Sequence, residues 1–198
     1  NLPYSEGDIP GGNFIIIDPS SGKVNSDAVA VGYFEVYDGY PVLRELVSKR
    51  LSPGETITTA LELALRHNCR LICTESVDYQ STLNSCFHFI CIQRGIYGIE
   101  NVEIYQGGTS KNSRILNMFK QLKSGEIFVA NECRAEVFLQ IAQFNPLKRD
   151  NVDDVLDLLT YSPKVMEMYG THIASMDVIV SQMGDSIEVL SAGSNSCF

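Results

Sequence analysis

Three stretches of this sequence put carboxylates where they could hold hard cations. Phe14-Ile15-Ile16-Ile17-Asp18 is a short apolar run bounded by Gly11-Gly12 and by Pro19-Ser20-Ser21-Gly22, the pattern of a buried strand, and it closes on an acid. Arg70-Leu71-Ile72-Cys73-Thr74-Glu75 has the same form and the same ending. Asn151-Val152-Asp153-Asp154-Val155-Leu156-Asp157 opens a helical pattern with three acids. On a helix, Asp153 and Asp157 share a face at i, i+4, and Asp154 meets Asp157 at i, i+3. A carboxylate at the tip of a buried strand is costly unless a cation or hydrogen-bond donors answer it. Each acid also has a plainer reading: Asp18 can hydrogen-bond the turn that follows it, and acids in a first helical turn are favoured by the helix dipole. Together they offer oxygen ligands from three separate elements. Two divalent cations held by such ligands, about 3.5–4 Å apart, can activate a water and stabilise the leaving oxygen in phosphodiester hydrolysis.

The elements that must position these acids follow from the hydrophobic pattern. After the first strand, Asp27 to Tyr37 is apolar near period two, Asp38-Gly39 is a hairpin turn signal, and Val42 to Val47 returns antiparallel. Ser52 caps a helix that opens at Pro53-Gly54-Glu55 and buries Ile57, Ala60, Leu61, Ala64 and Leu65. Strands follow at 70–75, 102–105 and 127–129, with helices at 79–93, 111–122, 132–144 and 152–169, the last broken or kinked near Pro163. Asp177 to Ser181 and Ser186 to Leu190, joined across Gly184-Asp185, read as an appended C-terminal β-hairpin. The expectation is an α/β domain over 13–170 with a mixed central sheet flanked by helices, preceded by a linker remnant at 1–12 and followed by an extension at 171–198. In such sheets, sites lie beyond the carboxyl ends of the strands, where Asp18 and Glu75 fall.

Composition narrows the function. The chain has 198 residues, 44% of them hydrophobic, enough for one domain with a real core. A net charge of −9 argues against a broad basic face for nucleic acid, but not against a site where metal ions neutralise clustered acids. Neither a signal-like leader nor an apolar run of bilayer length is present, so a soluble protein with no membrane partner is expected. The six cysteines form no C-x-x-C, and His67, His88 and His172 are the only imidazoles that could complete a zinc set. Free, mostly buried thiols are the better reading.

At this point the residues carry a resemblance. Ile16-Ile17-Asp18-Pro19-Ser20, Asp27 before the second strand, Leu71-Ile72-Cys73-Thr74-Glu75-Ser76, Gly108 with Lys111, Arg114 and Ile115, Gly125 to Phe128, and Asp153-Asp154-Val155-Leu156-Asp157 follow one another in a known order. Over roughly Asn13 to Tyr169 the chain resembles the C-terminal nuclease domain of the large terminase subunit, the DNA-packaging motor of tailed bacteriophages and herpesvirus-like viruses. The resemblance implies an RNase H-like fold and an endonuclease that cuts concatemeric double-stranded DNA with two Mg²⁺ or Mn²⁺ ions. It assigns the metal ligands and catalytic acids to Asp18, Glu75 and Asp154 or Asp153. Many relatives have Asp where this chain has Glu75. It also implies a partner ATPase domain N-terminal in the full-length chain, a portal and a small terminase subunit, and action in the cytoplasm of an infected host cell. No G-x-x-x-x-G-K-[ST] loop occurs here, so the ATPase would lie outside this sequence.

Other readings of the same acids are a RuvC-like or RNase H-type nuclease outside packaging, and a non-catalytic RNase H-like interaction domain. Lys111, Arg114, Lys148 and Arg149 are the cations nearest the acids and are candidates for DNA phosphate contacts. They read equally as a solvated helix start and as charges that balance the acids. Tyr79 and Gln80 either line the groove or cap a helix, and His88, among Phe87, Phe89 and Ile90, reads as a core histidine.

Overall fold

The computed structural model of the chain describes residues 2–5, 7–19, 28–76, 80–105, 107–148 and 151–192, with side chains omitted at 80 and from 174 onward. Asp27, Tyr79, Arg149, Cys197, the side chain of Gln80 and most of the turn after Pro19 therefore lie outside the described residues.

Among the described residues, six strands and five helices follow in the order β1 (Asn13–Asp18), β2 (Val29–Tyr37), β3 (Tyr40–Lys49), α1 (Pro53–Arg66), β4 (Leu71–Glu75), α2 (Gln80–Arg94), β5 (Glu100–Ile104), α3 (Lys111–Ser124), β6 (Phe128–Val129), α4 (Asn131–Gln143) and α5 (Asp154–Ala192). The strands form one mixed sheet in the order β5-β4-β1-β2-β3-β6. The first three make an antiparallel meander, while β4 and β5 run parallel to β1, and β6 runs parallel to β3. Asp38 and Gly39 take φ values of 51° and 82° between the paired Tyr37 and Tyr40, the two left-handed residues that the tightest hairpins require.

Side-chain alternation on β1 divides the core. Ile15 and Ile17 face a layer that includes Ile57, Ala60 and Leu61 of α1 and Leu83 and Phe87 of α2. Phe14 and Ile16 face the opposite layer, where Ile115 and Met118 of α3, Val137 of α4, and Val155, Leu156, Leu158 and Leu159 of α5 pack. Asp18 has the parity of Phe14 and Ile16, and Glu75 has the parity of Leu71 and Cys73, which also face α5. Period two therefore aims both acids at the layer that holds α5. The parallel register that pairs Ile17 with Thr74 sets the two strand ends side by side.

Local chemistry fixes the helices. Ser52 and Glu55 form a reciprocal capping box at the start of α1, and Gly125 closes α3 in the left-handed region. The C-terminal segment departs from expectation: no hairpin forms over 177–190, because α5 continues unbroken as far as Ala192. Pro163 does not break it either. Its missing N–H would have served the Leu159 carbonyl, and the Ser162 hydroxyl donates to that oxygen instead at 2.9 Å. A formed helix propagates without a new nucleus, whereas an isolated hairpin of two strands is marginal in water. Among the described residues no helix is long and apolar enough to cross a membrane.

Candidate metal centre

Asp18 from β1, Glu75 from β4 and Asp157 from α5 converge, each presenting a carboxylate oxygen within 4.8 Å of the others. Asp18 and Asp157 are buried and Glu75 is partly exposed. Helix α5 reaches this depth because Leu158 rests on β2 where Gly32 has no side chain: a Cβ there would lie 2.9 Å from Leu158 Cδ2. The start of α5 is held by the buried Gln140, whose Oε1 accepts the Val155 N–H at 3.0 Å. Asn151 ties the preceding loop, accepting from Asn145 N–H and donating to the Asn145 and Lys148 carbonyls.

Asp157 and Tyr161 lie on one face of α5, and Asp153, immediately before its first residue, continues the four-residue spacing; each of the three is engaged. Lys111 Nζ lies 2.8 Å from Asp153 Oδ1 and 3.3 Å from Asp157 Oδ2. Arg114 Nη2 donates to Asp157 Oδ1 at 2.8 Å, its guanidinium stands 5.9 Å from the centre of the Tyr161 ring, and Nη1 donates to the Thr109 carbonyl. The Tyr161 hydroxyl donates to Glu75 Oε1. A polar pocket of about 410 Å³ opens beside the cluster, lined in part by Glu75, Ser76, Thr109, Ser110, Arg114 and Tyr161. Its wall turns through Gly107 and Gly108, both at left-handed φ near +48° (49° and 47°), where side-chain-bearing residues are strained.

The electrostatics follow from crowding. Burial pushes the Asp18 carboxyl well above its ordinary range, and the hydrogen bond and charge of Glu75 and the charge of Asp157 add to the rise against the opposing Lys111. Burial also opposes the Lys111 charge, but Asp157, Asp153 and Asp18 outweigh it and hold the ammonium above its usual value. Tyr161 is raised by burial and then by Glu75, so it stays a phenol and a donor. The cluster is a set of hard oxygens with an unmet demand for positive charge. That donor set fits Mg²⁺ or Mn²⁺ and lacks the thiolates or imidazoles of a zinc site.

The acids named from sequence are thus distributed unequally. Asp18 and Glu75 meet, and the third member of the group is Asp157. Asp153 lies one turn away and joins it through Lys111, and Asp154 is buried at the first turn of α5, outside the group of three. Lys111 and Arg114 face the acids, whereas Lys148 is exposed in the loop before α5. Tyr161 was not singled out from sequence. Its spacing from Asp157 is the one signal that could have marked it.

Comparisons with solved structures place this architecture. The human cytomegalovirus terminase nuclease domain, Mn-soaked and inhibitor-bound, matches with a TM-score of 0.58 at 13% identity, over 83% of this chain and 86% of that one. The fold is RNase H-like. The large terminase of the thermophilic bacteriophage D6E matches with a TM-score of 0.57 at 12% identity, over 84% of this chain and 42% of the terminase. The chain therefore spans less than half the length of that large terminase. At these identities the likeness is one of fold. No family model matches the sequence, and no curated protein does.

Proposed function

We propose that this chain is the nuclease domain of a viral terminase large subunit: a Mg²⁺- or Mn²⁺-dependent endonuclease that cuts concatemeric double-stranded DNA during genome packaging. The observation that carries the reading is the meeting of Asp18, Glu75 and Asp157 from three elements at the carboxyl ends of neighbouring strands. The fold likeness to terminase nuclease domains supports it. Two divalent ions, when bound, supply an activated water and neutralise charge at the leaving oxygen. Asp18, Glu75 and Asp157 are the residues that would hold them, with Asp153 and Asp154 adjoining. Tyr161 orients Glu75, and Arg114 orients Asp157. Lys111, Arg114, Lys148 and Arg149 remain the candidates to meet DNA phosphates, the first two by exchanging their carboxylate partners for the backbone of the duplex. An ATPase domain in the same full-length chain, a portal and a small subunit complete the proposed assembly in the host cytoplasm.

The test is plasmid cleavage by the purified chain. Cutting in Mg²⁺ or Mn²⁺ that EDTA abolishes is expected, and undiminished cutting in EDTA would overturn the reading. A finer expectation concerns Tyr161→Phe, which removes a hydrogen bond from a metal ligand without touching the metal. Loss of such a partner typically weakens metal affinity about 10–100-fold. A Mn²⁺ titration of the variant checks it, and unchanged affinity would show that Glu75 needs no orienting donor.

A further inference from the structure

Both oxygens of Asp157 already have a cation of the chain's own. Arg114 takes Oδ1 from one side, and Lys111 takes Oδ2 while also reaching Asp153. Lys111 is the first residue of α3, where the helix dipole disfavours a positive charge, so its inward pose is maintained by the acids rather than by its own helix. Its side chain is still 44% exposed, so it can swing outward without unpacking the core. Counted at full ionisation, as a bound cation would require, the carboxylates of Asp18, Glu75, Asp153 and Asp157 bring four negative charges, and Lys111 and Arg114 answer two of them. One divalent ion restores neutrality. A second would leave two excess positive charges until a phosphodiester arrived.

Resting on the metal-dependent reading above, we propose that Lys111 holds the place of the second divalent ion, so that the DNA-free chain binds one ion and acquires the other only when substrate draws Lys111 away. The ammonium bridges Asp153 and Asp157 as a cation shared by two carboxylates, and an incoming DNA phosphate offers it an equivalent partner. Metal loading is thereby coupled to substrate: without DNA, the ion that completes the site is excluded by a charge of the protein itself.

Counting bound Mn²⁺ in the absence of DNA tests this, by calorimetric titration together with the room-temperature electron paramagnetic resonance signal of free Mn²⁺. One ion per chain is expected for the wild type and two for Lys111→Met, which keeps most of the aliphatic stem and removes the charge. The double variant Lys111→Met, Asp153→Asn is expected to return to one, because the vacated place needs the Asp153 carboxylate. Two ions on the wild type would overturn the proposal while leaving the metal-dependent reading intact. One ion on both the wild type and Lys111→Met would overturn it as well. No Mn²⁺ bound to any form at millimolar concentration would instead sink the metal-dependent reading on which it rests. Thermal melts in EDTA verify that each variant is folded, and Lys111→Gln serves as a second neutral variant should the methionine fail. The wild-type count stands without either.

Discussion

Replacing Asp18, Glu75 or Asp157 by its amide is expected to lower DNA cleavage about a thousandfold, with Asp154→Asn affected far less. The amide keeps the shape and removes the charge that holds a cation. A metal ion contributes several kcal/mol of charge stabilisation at the reacting phosphate, and each 1.36 kcal/mol is a factor of ten in rate. The three targets are the acids whose oxygens come within 4.8 Å of one another. Asp153→Asn is expected to fall between these extremes, since the Asp153 carboxylate meets the group through Lys111. Asp157→Asn also strips Arg114 and Lys111 of a partner, so its folding needs a circular dichroism check before its rate is read. The decisive comparison is along the helix. Collapse in Asp154→Asn with near-normal cutting in Asp157→Asn would return the third ligand to Asp154, the first residue of α5.

That ambiguity shows where sequence reasoning ran out. The strands of β1 and β4 were legible because an apolar run of five or six residues ending in an acid has one economical fold, and period two alone sends Asp18 and Glu75 to the same face. Helix α5 was legible as a helix, and its acidic start was legible as a source of ligands. Which of its acids meets the strand ends was not. That depends on how far the helix slides along the sheet, which Leu158 seated on Gly32 decides, and no local pattern carries a contact across more than a hundred residues. The same limit hid the pairing of Tyr161 with Glu75, which lie 86 residues apart. The C-terminal segment failed for the opposite reason. Its Val-Ile-Val run and Gly184-Asp185 pair favour a hairpin locally, yet the segment continues a helix nucleated and packed upstream. Lys111 was legible as a cation near the site, but its inward aim follows from the packing of α3 against α5.

In EDTA, Asp18→Asn is expected to melt at a higher temperature than the wild type at neutral pH, and the order is expected to reverse in Mn²⁺. Burial and the neighbouring Glu75 and Asp157 raise the Asp18 carboxyl above the ordinary value of 3.8. The folded state then binds this proton more tightly than the unfolded chain does. The stability so gained is fully present below the ordinary value and is lost as pH rises through the folded one. At neutral pH the metal-free wild type has therefore given up stability that the amide, with no proton to lose, retains. The two proteins should converge at acid pH, and the gap should open as pH rises. Saturating Mn²⁺ acts in the other direction. A hundredfold excess over Kd stabilises a binding-competent fold by about 2.7 kcal/mol, on the order of 5–10 °C for a chain of this size. The wild type gains that increment, and the variant, short of a ligand, gains little of it. Melting curves across pH with EDTA or Mn²⁺ read both halves. A wild type more stable than Asp18→Asn in EDTA at every pH would mean that the acids are held by internal hydrogen bonds rather than poised for a cation, and the metal centre would fall with it.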